Sequence, residues 1–349
     1  MYYFLLIGCV VLSAALCKAV LALAPRLGLI DIPNKRSSHT TPTARAGGIA
    51  FVISFLVGLG LLHHLGWVDH QLWLTFVLGG TLIALTGFID DFSHLPAMLR
   101  LFIQAGVVIA ILLSLKKLPP LSLGFALWHW HTLGYVIMFL GFVWLINLYN
   151  FMDGIDGLAS SQAVFVCAAT ALLLYVQGDH SGLIPILLLL AGSVLGFVIF
   201  NWPPAVLFMG DIGSGFIGFA LGTLLVHSVI HHVLTPWHWM MLLGVFWIDA
   251  TMTLISRKLK GEHLFEAHRT HVFQILTNNL GNHRIVLLGI MLINLLWLLP
   301  LTLVTHAYPT QVLPIMCLAL LPLFGLWFYF RRQLIDEEEE KEEHAYGSV

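Results

Sequence analysis

Apolar runs of about twenty residues recur along nearly the whole chain, and that is the length a helix needs to cross hydrocarbon. Eleven segments fit, at about 2–24, 47–66, 71–89, 99–118, 132–149, 158–176, 182–201, 213–232, 238–256, 285–305 and 311–330. Of the 349 residues, 59% are hydrophobic and only 10% charged, against roughly a quarter charged in soluble domains. A water-soluble fold cannot hide that much apolar surface. Backbone groups in lipid must bond within their own segment. The expected fold is therefore all-α: a polytopic membrane protein with about 11 transmembrane helices. Residues 1–23 have a signal peptide's length but no basic residue ahead of the apolar run, and read as a retained first helix. Cys9, Cys17, Cys167 and Cys317 all fall in apolar stretches and read as packing residues, with no disulfide framework or zinc site.

Lysine and arginine set the orientation. With alternate loops on opposite sides, one set of loops holds thirteen of the sixteen basic residues, from Arg26 and Lys35 to Arg332 and Lys341. The other set holds Lys116 and Lys117, and Lys18 lies in the first helix. The basic side is expected to be cytoplasmic, with the N-terminus outside and the C-terminus inside. Residues 1–335 read as one integral-membrane domain. Residues 336–349, opening with an acidic run, read as a disordered cytoplasmic tail.

Most acidic residues gather on the basic side, whereas the outer loops carry Asp69 and Asp179. Carboxylates at the edge of hydrocarbon are costly and mark function by default. Five clusters stand out. The first loop is basic and proline-stiffened, carries Lys35, Arg36 and Arg45, and ends in Gly47-Gly48, which suits phosphate binding or an ordinary positive-inside loop. The second is Gly87-Phe-Ile-Asp90-Asp91, followed by His94, Arg100 and Gln104. Adjacent carboxylates repel unless a cation or proton sits between them, which makes a metal site or a general base. The third is Asn147-Leu-Tyr-Asn150-Phe-Met-Asp153-Gly-Ile-Asp156-Gly157, placing polar atoms at the end of an apolar helix.

The fourth cluster is Phe208-Met-Gly-Asp211-Ile-Gly-Ser-Gly215, with Asp211 placed to hold a metal. Its glycines extend into a G-x-G-x-x-G string, but no strand precedes it and a span follows, so a dinucleotide fold is excluded. They read as allowing a tight turn and close helix packing. The fifth, Glu262-His-Leu-Phe-Glu266-Ala-His268-Arg269-Thr-His271, sets two histidines and an arginine together, a group suited to pyrophosphate. Histidines near the outer face, among them His227 and His231, read as interfacial.

Together and in this order, the Asp-Asp, Asn-x-x-Asp-Gly-x-Asp-Gly and Phe-x-Gly-Asp-x-Gly-Ser motifs resemble the polyprenyl-phosphate N-acetylhexosamine-1-phosphate transferase superfamily, over roughly residues 25 to 285. The resemblance implies roles for matched positions. Asn150 and Asp211 match magnesium ligands, with manganese as the substitute. Phe208 matches the aromatic that stacks on uracil, and Asp156 the residue that bonds the base. Asp90 and Asp91 match the pair at the attack, and Arg100 a cation near the pyrophosphate. Asp153, His268 and Arg269 fall among catalytic positions, and Arg45, His94 and His271 among substrate contacts. The last loop lacks both the triple histidine of the peptidoglycan enzyme and the His-Ile-His-His of the enterobacterial-common-antigen enzyme. It looks most like the branch that initiates O-antigen.

The resemblance implies magnesium-dependent transfer of a HexNAc 1-phosphate from a UDP-HexNAc to undecaprenyl phosphate at the cytoplasmic face of the inner membrane. The products would be undecaprenyl-diphosphate-HexNAc and UMP, the first step of lipopolysaccharide O-antigen synthesis. Expected partners are the bilayer, the two substrates and a second copy in a homodimer, with no nucleic acid. Competing readings are the peptidoglycan phospho-MurNAc-pentapeptide transferase and a transporter, which would use intramembrane acids such as Asp249, broken helices and an internal repeat. A phosphotransferase using CDP-linked donors would need an Asp-Gly-x-x-Ala-Arg signature, which this chain lacks.

Overall fold

The computed structural model describes residues 2–33, 41–93, 95–115, 117–179, 181–262 and 269–346. The chain opens with α1 (Tyr2–Leu27), then a short antiparallel pair, β1 (Ile30–Asp31) and β2 (Thr43–Ala44), and α2 (Gly48–His64). Next, α3 (His70–Leu74) runs through a π turn at Thr75–Gly80 into α4 (Thr81–Ser93), followed by α5 (Ala97–Leu113). A second pair, β3 (Leu121–Ser122) and β4 (Leu127–Trp128), precedes α6 (His131–Met152), α7 (Leu158–Val176), α8 (Leu183–Asn201) and α9 (Gly210–Ile230). The last third holds α10 (Pro236–Leu242), α11 (Gly244–Leu259), α12 (Val272–Leu280), α13 (His283–Ile293), a π turn at Asn294–Leu298, α14 (Leu299–Ala307) and α15 (Val312–Tyr346). The backbone of α15 carries on through the acidic run to Tyr346.

The protein is a multi-pass membrane protein. Among the described residues eight helices are long and apolar enough to cross a bilayer, or nine if the bent pair α10 and α11 counts as one span. Two more, α2 and α5, are apolar but shorter. Each segment expected to be apolar and helical contains a helix, but in the expected segment 99–118 the helix ends at Leu113, and the expected segment 238–256 is not a straight span. Its two halves, α10 and α11, meet at 83°. Hydropathy does not register a bend, because both arms are apolar. The Leu242 carbonyl at the break accepts a hydrogen bond from Gln162 Nε2 at 2.9 Å, and Gln162 Oε1 accepts one from Asn294 Nδ2 at 2.5 Å. Both amides are fully buried. A backbone carbonyl freed within hydrocarbon needs such a partner.

At the centre stands α9, packed between α4 and α6 and against α2. Its glycine-rich first half makes this possible: a side chain at Gly213 would meet Gly48, and one at Gly218 would meet the Ile146 backbone at 2.6 Å. The N-terminal ends of α2, α5, α7 and α9 and the C-terminal ends of α4, α6 and α8 come together at one end of the bundle.

Candidate active site

Helix ends deliver the polar residues. Asp90 and Asp91 sit in the last turn of α4, Arg100 in the first turn of α5, Asn150 at the end of α6 and Asp211 in the first turn of α9. Asp91 Oδ1 accepts from the Asp211 N–H at 3.0 Å and Oδ2 from the Ile212 N–H at 3.3 Å. It therefore occupies the positive end of α9, where unpaired backbone donors stabilise an anion. Gly210 has φ +72°, and a Cβ there would lie 2.6 Å from the Asp91 carboxylate. At Gly87 a side chain would run into the Asp211 backbone. These two close approaches are why a glycine precedes the Asp90-Asp91 pair and Asp211.

Asp90 is turned the other way. It accepts from the Leu95 N–H at 2.6 Å and pairs with Arg100 Nη1, which also reaches Asp211 Oδ2 at 2.9 Å. One guanidinium nitrogen thus stands between two carboxylates. Asn150 Nδ2 donates to Asp211 Oδ1 at 2.7 Å and to Ser214 Oγ at 3.3 Å. Adjacent in sequence, Asp90 and Asp91 face different tasks, which their spelling does not reveal. Asp91 braces α9, while Asp90 faces the cationic centre. Arg45 lies near enough for its charge to act on Asp91.

Asp156 takes part in a second group. Its carboxylate accepts from the Ala205 N–H at 3.0 Å, and its own N–H donates to His283 Nδ1 at 3.2 Å. Arg284 Nη2 donates to the Pro203 carbonyl at 2.8 Å. These bonds fix the segment leading to Phe208, whose N–H donates to Ala44 O and whose carbonyl accepts from Gly47 N–H, each at 2.8 Å. The first loop and the Phe208 segment are thereby stitched together. Between the two groups lies Asp153, at the C-terminus of α6. Burial first, then the charges of Asp91 and Asp156, push its carboxyl up from 3.8 to about 7.

Of the last loop, His268 lies outside the described residues, as does His94. Arg269 is half-buried. His271, expected to meet substrate, is 2% exposed: its ring stacks between Phe151 and Phe273, and Nδ1 lies 3.7 Å from Asp249 Oδ1. Asp249, which the sequence offered only as an intramembrane acid of the transporter reading, and Arg331, which it gave no role in the site, hold this loop. Asp249 receives the first N–H groups of α12, and Arg331 Nη1 donates to Thr270 O at 3.0 Å. Gln104 and Asn147, which stand in the second and third sequence clusters without an assigned role, join the group: Asn147 Nδ2 donates to Gln104 Oε1 at 2.7 Å, and Gln104 stands four residues past Arg100 on one face of α5.

A divalent cation fits the donors present. Asp211 offers a carboxylate, and turning the Asn150 amide over would set Oδ1 beside it. Among the described residues no three His, Cys, Asp or Glu side chains converge to cage an ion. Magnesium is usually held by one or two carboxylates together with phosphate oxygens and water; here the protein would supply one carboxylate and one amide oxygen.

Carboxylates, an arginine and an amide converging at one end of an apolar helix bundle define a class: an integral-membrane enzyme. The glycosyl transferase family 4 model matches residues 73–229. A "Probable undecaprenyl-phosphate N-acetylglucosaminyl 1-phosphate transferase" of Bacillus subtilis is 29% identical over 283 residues, covering 79% of this chain and 77% of its own. A phospho-N-acetylmuramoyl-pentapeptide-transferase of Lactiplantibacillus plantarum is 34% identical over 249 residues, covering 64% and 72%. The undecaprenyl-phosphate alpha-N-acetylglucosaminyl 1-phosphate transferase of Escherichia coli K12 is 27% identical over 263 residues, covering 72% and 70%. The chain belongs to glycosyl transferase family 4, within the superfamily of polyprenyl-phosphate N-acetylhexosamine-1-phosphate transferases.

Proposed function

We propose that the protein transfers an N-acetylhexosamine 1-phosphate from a UDP-linked donor to undecaprenyl phosphate, releasing UMP. The observation that carries this is the meeting of Asp90, Arg100, Asn150 and Asp211 at the bundle end. A phosphate oxygen of the acceptor attacks the sugar-linked phosphorus of the donor. A new P–O bond forms there, the bond to the UMP phosphate breaks, and UMP leaves with the electron pair. Asp90 takes any proton still on the attacking phosphate. Arg100 is drawn off its carboxylates toward the incoming anions and offsets the charge that builds on the leaving phosphate. Asp91 keeps Asp211 in register through the backbone of α9. Phe208 and Asp156 receive the uracil, and Arg269 and His268 the sugar side of the diphosphate. Asn150 and Asp211 would hold magnesium, or manganese in its place, which neutralises diphosphate charge.

The site faces the cytoplasm of the bacterial inner membrane, N-terminus outside, because thirteen of sixteen basic residues fall on that side. The spelling of the last loop favours UDP-N-acetylglucosamine or a 6-deoxy relative, and hence the start of O-antigen. The relative from Lactiplantibacillus supports a second reading, transfer of phospho-MurNAc-pentapeptide. The transporter reading gains a broken helix and buried amides, but here those amides close the bend.

Purified protein in detergent with undecaprenyl phosphate and a panel of UDP-HexNAc and UDP-MurNAc-pentapeptide donors tests this. The expected result is one lipid-linked product with an equal yield of UMP. UMP from no donor would end the proposal, and UMP from the pentapeptide donor alone would transfer it to the second reading.

A further inference from the structure

One helical turn below the carboxylates, toward the middle of the bundle, lies a cavity of about 30 Å³. Its rim is Arg100, Asn150 and Asp211, and its floor includes Gln104, Asn147 and Ile146. That volume holds about two waters. It is too small for a nucleotide or a sugar, and suits the oxygens of one phosphate.

Depth assigns the phosphate. Gln104 follows Arg100 by four residues from the start of α5, and Asn147 precedes Asn150 by three before the end of α6. At about 1.5 Å per residue these amides stand roughly 4–6 Å further into the apolar span than the charged rim. A nucleotide sugar is water-soluble and reaches the rim from the loops. A lipid phosphate is held by its tail in hydrocarbon, so its headgroup arrives laterally between helices and not from the loops. Polar groups below the rim therefore face the lipid substrate.

Hydrogen bonding fixes which way the floor points. Asn147 Nδ2 donates to the Val143 carbonyl at 2.8 Å and to Gln104 Oε1 at 2.7 Å, using both of its hydrogens. A carbonyl can only accept, so the Asn147 amide cannot be reversed, and Gln104 must present oxygen to it. Both N–H groups of Gln104 Nε2 are left without a partner among the described residues. Gln104 is half-buried on the wall of this cavity, and an anion there would satisfy those donors.

We propose that Gln104 binds the phosphate of the polyprenyl acceptor through its Nε2 hydrogens, with Asn147 as the positioning residue that holds the amide in that sense. This rests on the transferase reading above and adds the acceptor subsite to it.

Gln104→Glu keeps Oε1 for Asn147 and replaces the donors by an oxygen. Gln104→Met, uncharged and of similar length, guards against a variant that misfolds or stays protonated. The full-length protein in detergent is assayed for KM toward undecaprenyl phosphate and toward its UDP-sugar. Binding of undecaprenyl phosphate and of undecaprenol is measured separately, with no donor present. In both variants the acceptor KM is expected to rise about tenfold or more, the value of a hydrogen bond to a charged group, with donor KM and kcat within about threefold. Binding of undecaprenyl phosphate weakens in step, and binding of undecaprenol does not change. An acceptor KM unmoved in both variants, or a donor KM that rises equally, overturns the assignment while normal UMP release leaves the transferase reading standing. Phosphate-dependent lipid binding that needs Gln104, in a protein releasing no UMP, supports the subsite and removes the reaction.

Discussion

The carboxylate of Asp249, inside α11, accepts a hydrogen bond at 3.0 Å from the backbone N–H of Val272, the first residue of α12. Phe273 N–H adds a second at 3.1 Å and Thr253 Oγ1 a third at 3.1 Å. This intramembrane acid is therefore a helix cap supplied from another helix, and it ties the loop carrying Arg269 to the bundle. Asp249→Asn keeps an acceptor but loses the charge and one of the two backbone bonds. The expected cost is about 1–3 kcal/mol, read as a fall of several degrees in the melting temperature in detergent. Turnover is expected to drop about tenfold, because the loop shifts at its anchored end. An Asn variant that melts and turns over like the wild type would refute the capping role.

Gly210 supplies the second prediction. Its left-handed φ of +72° and the Asp91 carboxylate beside it leave no room for a methyl group. Gly210→Ala is expected to strain the turn by about 1–2 kcal/mol and to push Asp91 off the α9 N-terminus. Turnover is expected to fall by more than tenfold while Gly141→Ala, where a Cβ meets nothing within 4 Å, stays near wild type. Equal activity in the two variants would count against this geometry.

Much of the fold was legible because hydrophobic length is written locally. Each apolar segment contains a helix, and the acidic motifs mark helix ends. What escaped depends on partners distant in the chain. The 83° bend at Leu243 is stabilised by Gln162 and Asn294, far from it in sequence. Asp249 looks like a lone charge until α12 folds back onto it. Likewise His271, which reads as a substrate contact from its neighbours' spelling, is buried by the stacking of Phe151 and Phe273. Asp90 and Asp91 were found together, but their division of labour follows from where α9 begins.

The pairing of Asp211 with Asn150 predicts a metal dependence. Chelation by EDTA is expected to abolish UMP release, and millimolar magnesium to restore it. Asp211→Asn removes the only charged donor proposed to hold the ion, so its turnover is expected to fall at least 100-fold, with a melting temperature within a few degrees of wild type. Near-normal activity of this variant at ordinary magnesium would sink the ligand assignment. Full activity in EDTA would sink the cation itself.

Asp153 gives a pH dependence with a definite sign. Burial, reinforced by Asp91 and Asp156, raises its carboxyl from 3.8 to about 7 in the folded protein. The folded state therefore holds this proton more tightly than the unfolded chain does. Its contribution to stability is fully present below about pH 4 and is lost as pH rises toward about 7. Measured in EDTA, the melting temperature is expected to fall by a few degrees between about pH 5 and pH 8. Asp153→Asn, which imitates the neutral acid, flattens that slope by removing the proton that is lost. Bound magnesium adds positive charge near the end of α6, favours the ionised carboxyl, and is expected to shift the remaining slope to lower pH. A wild-type slope unchanged in Asp153→Asn would assign the titration to another group.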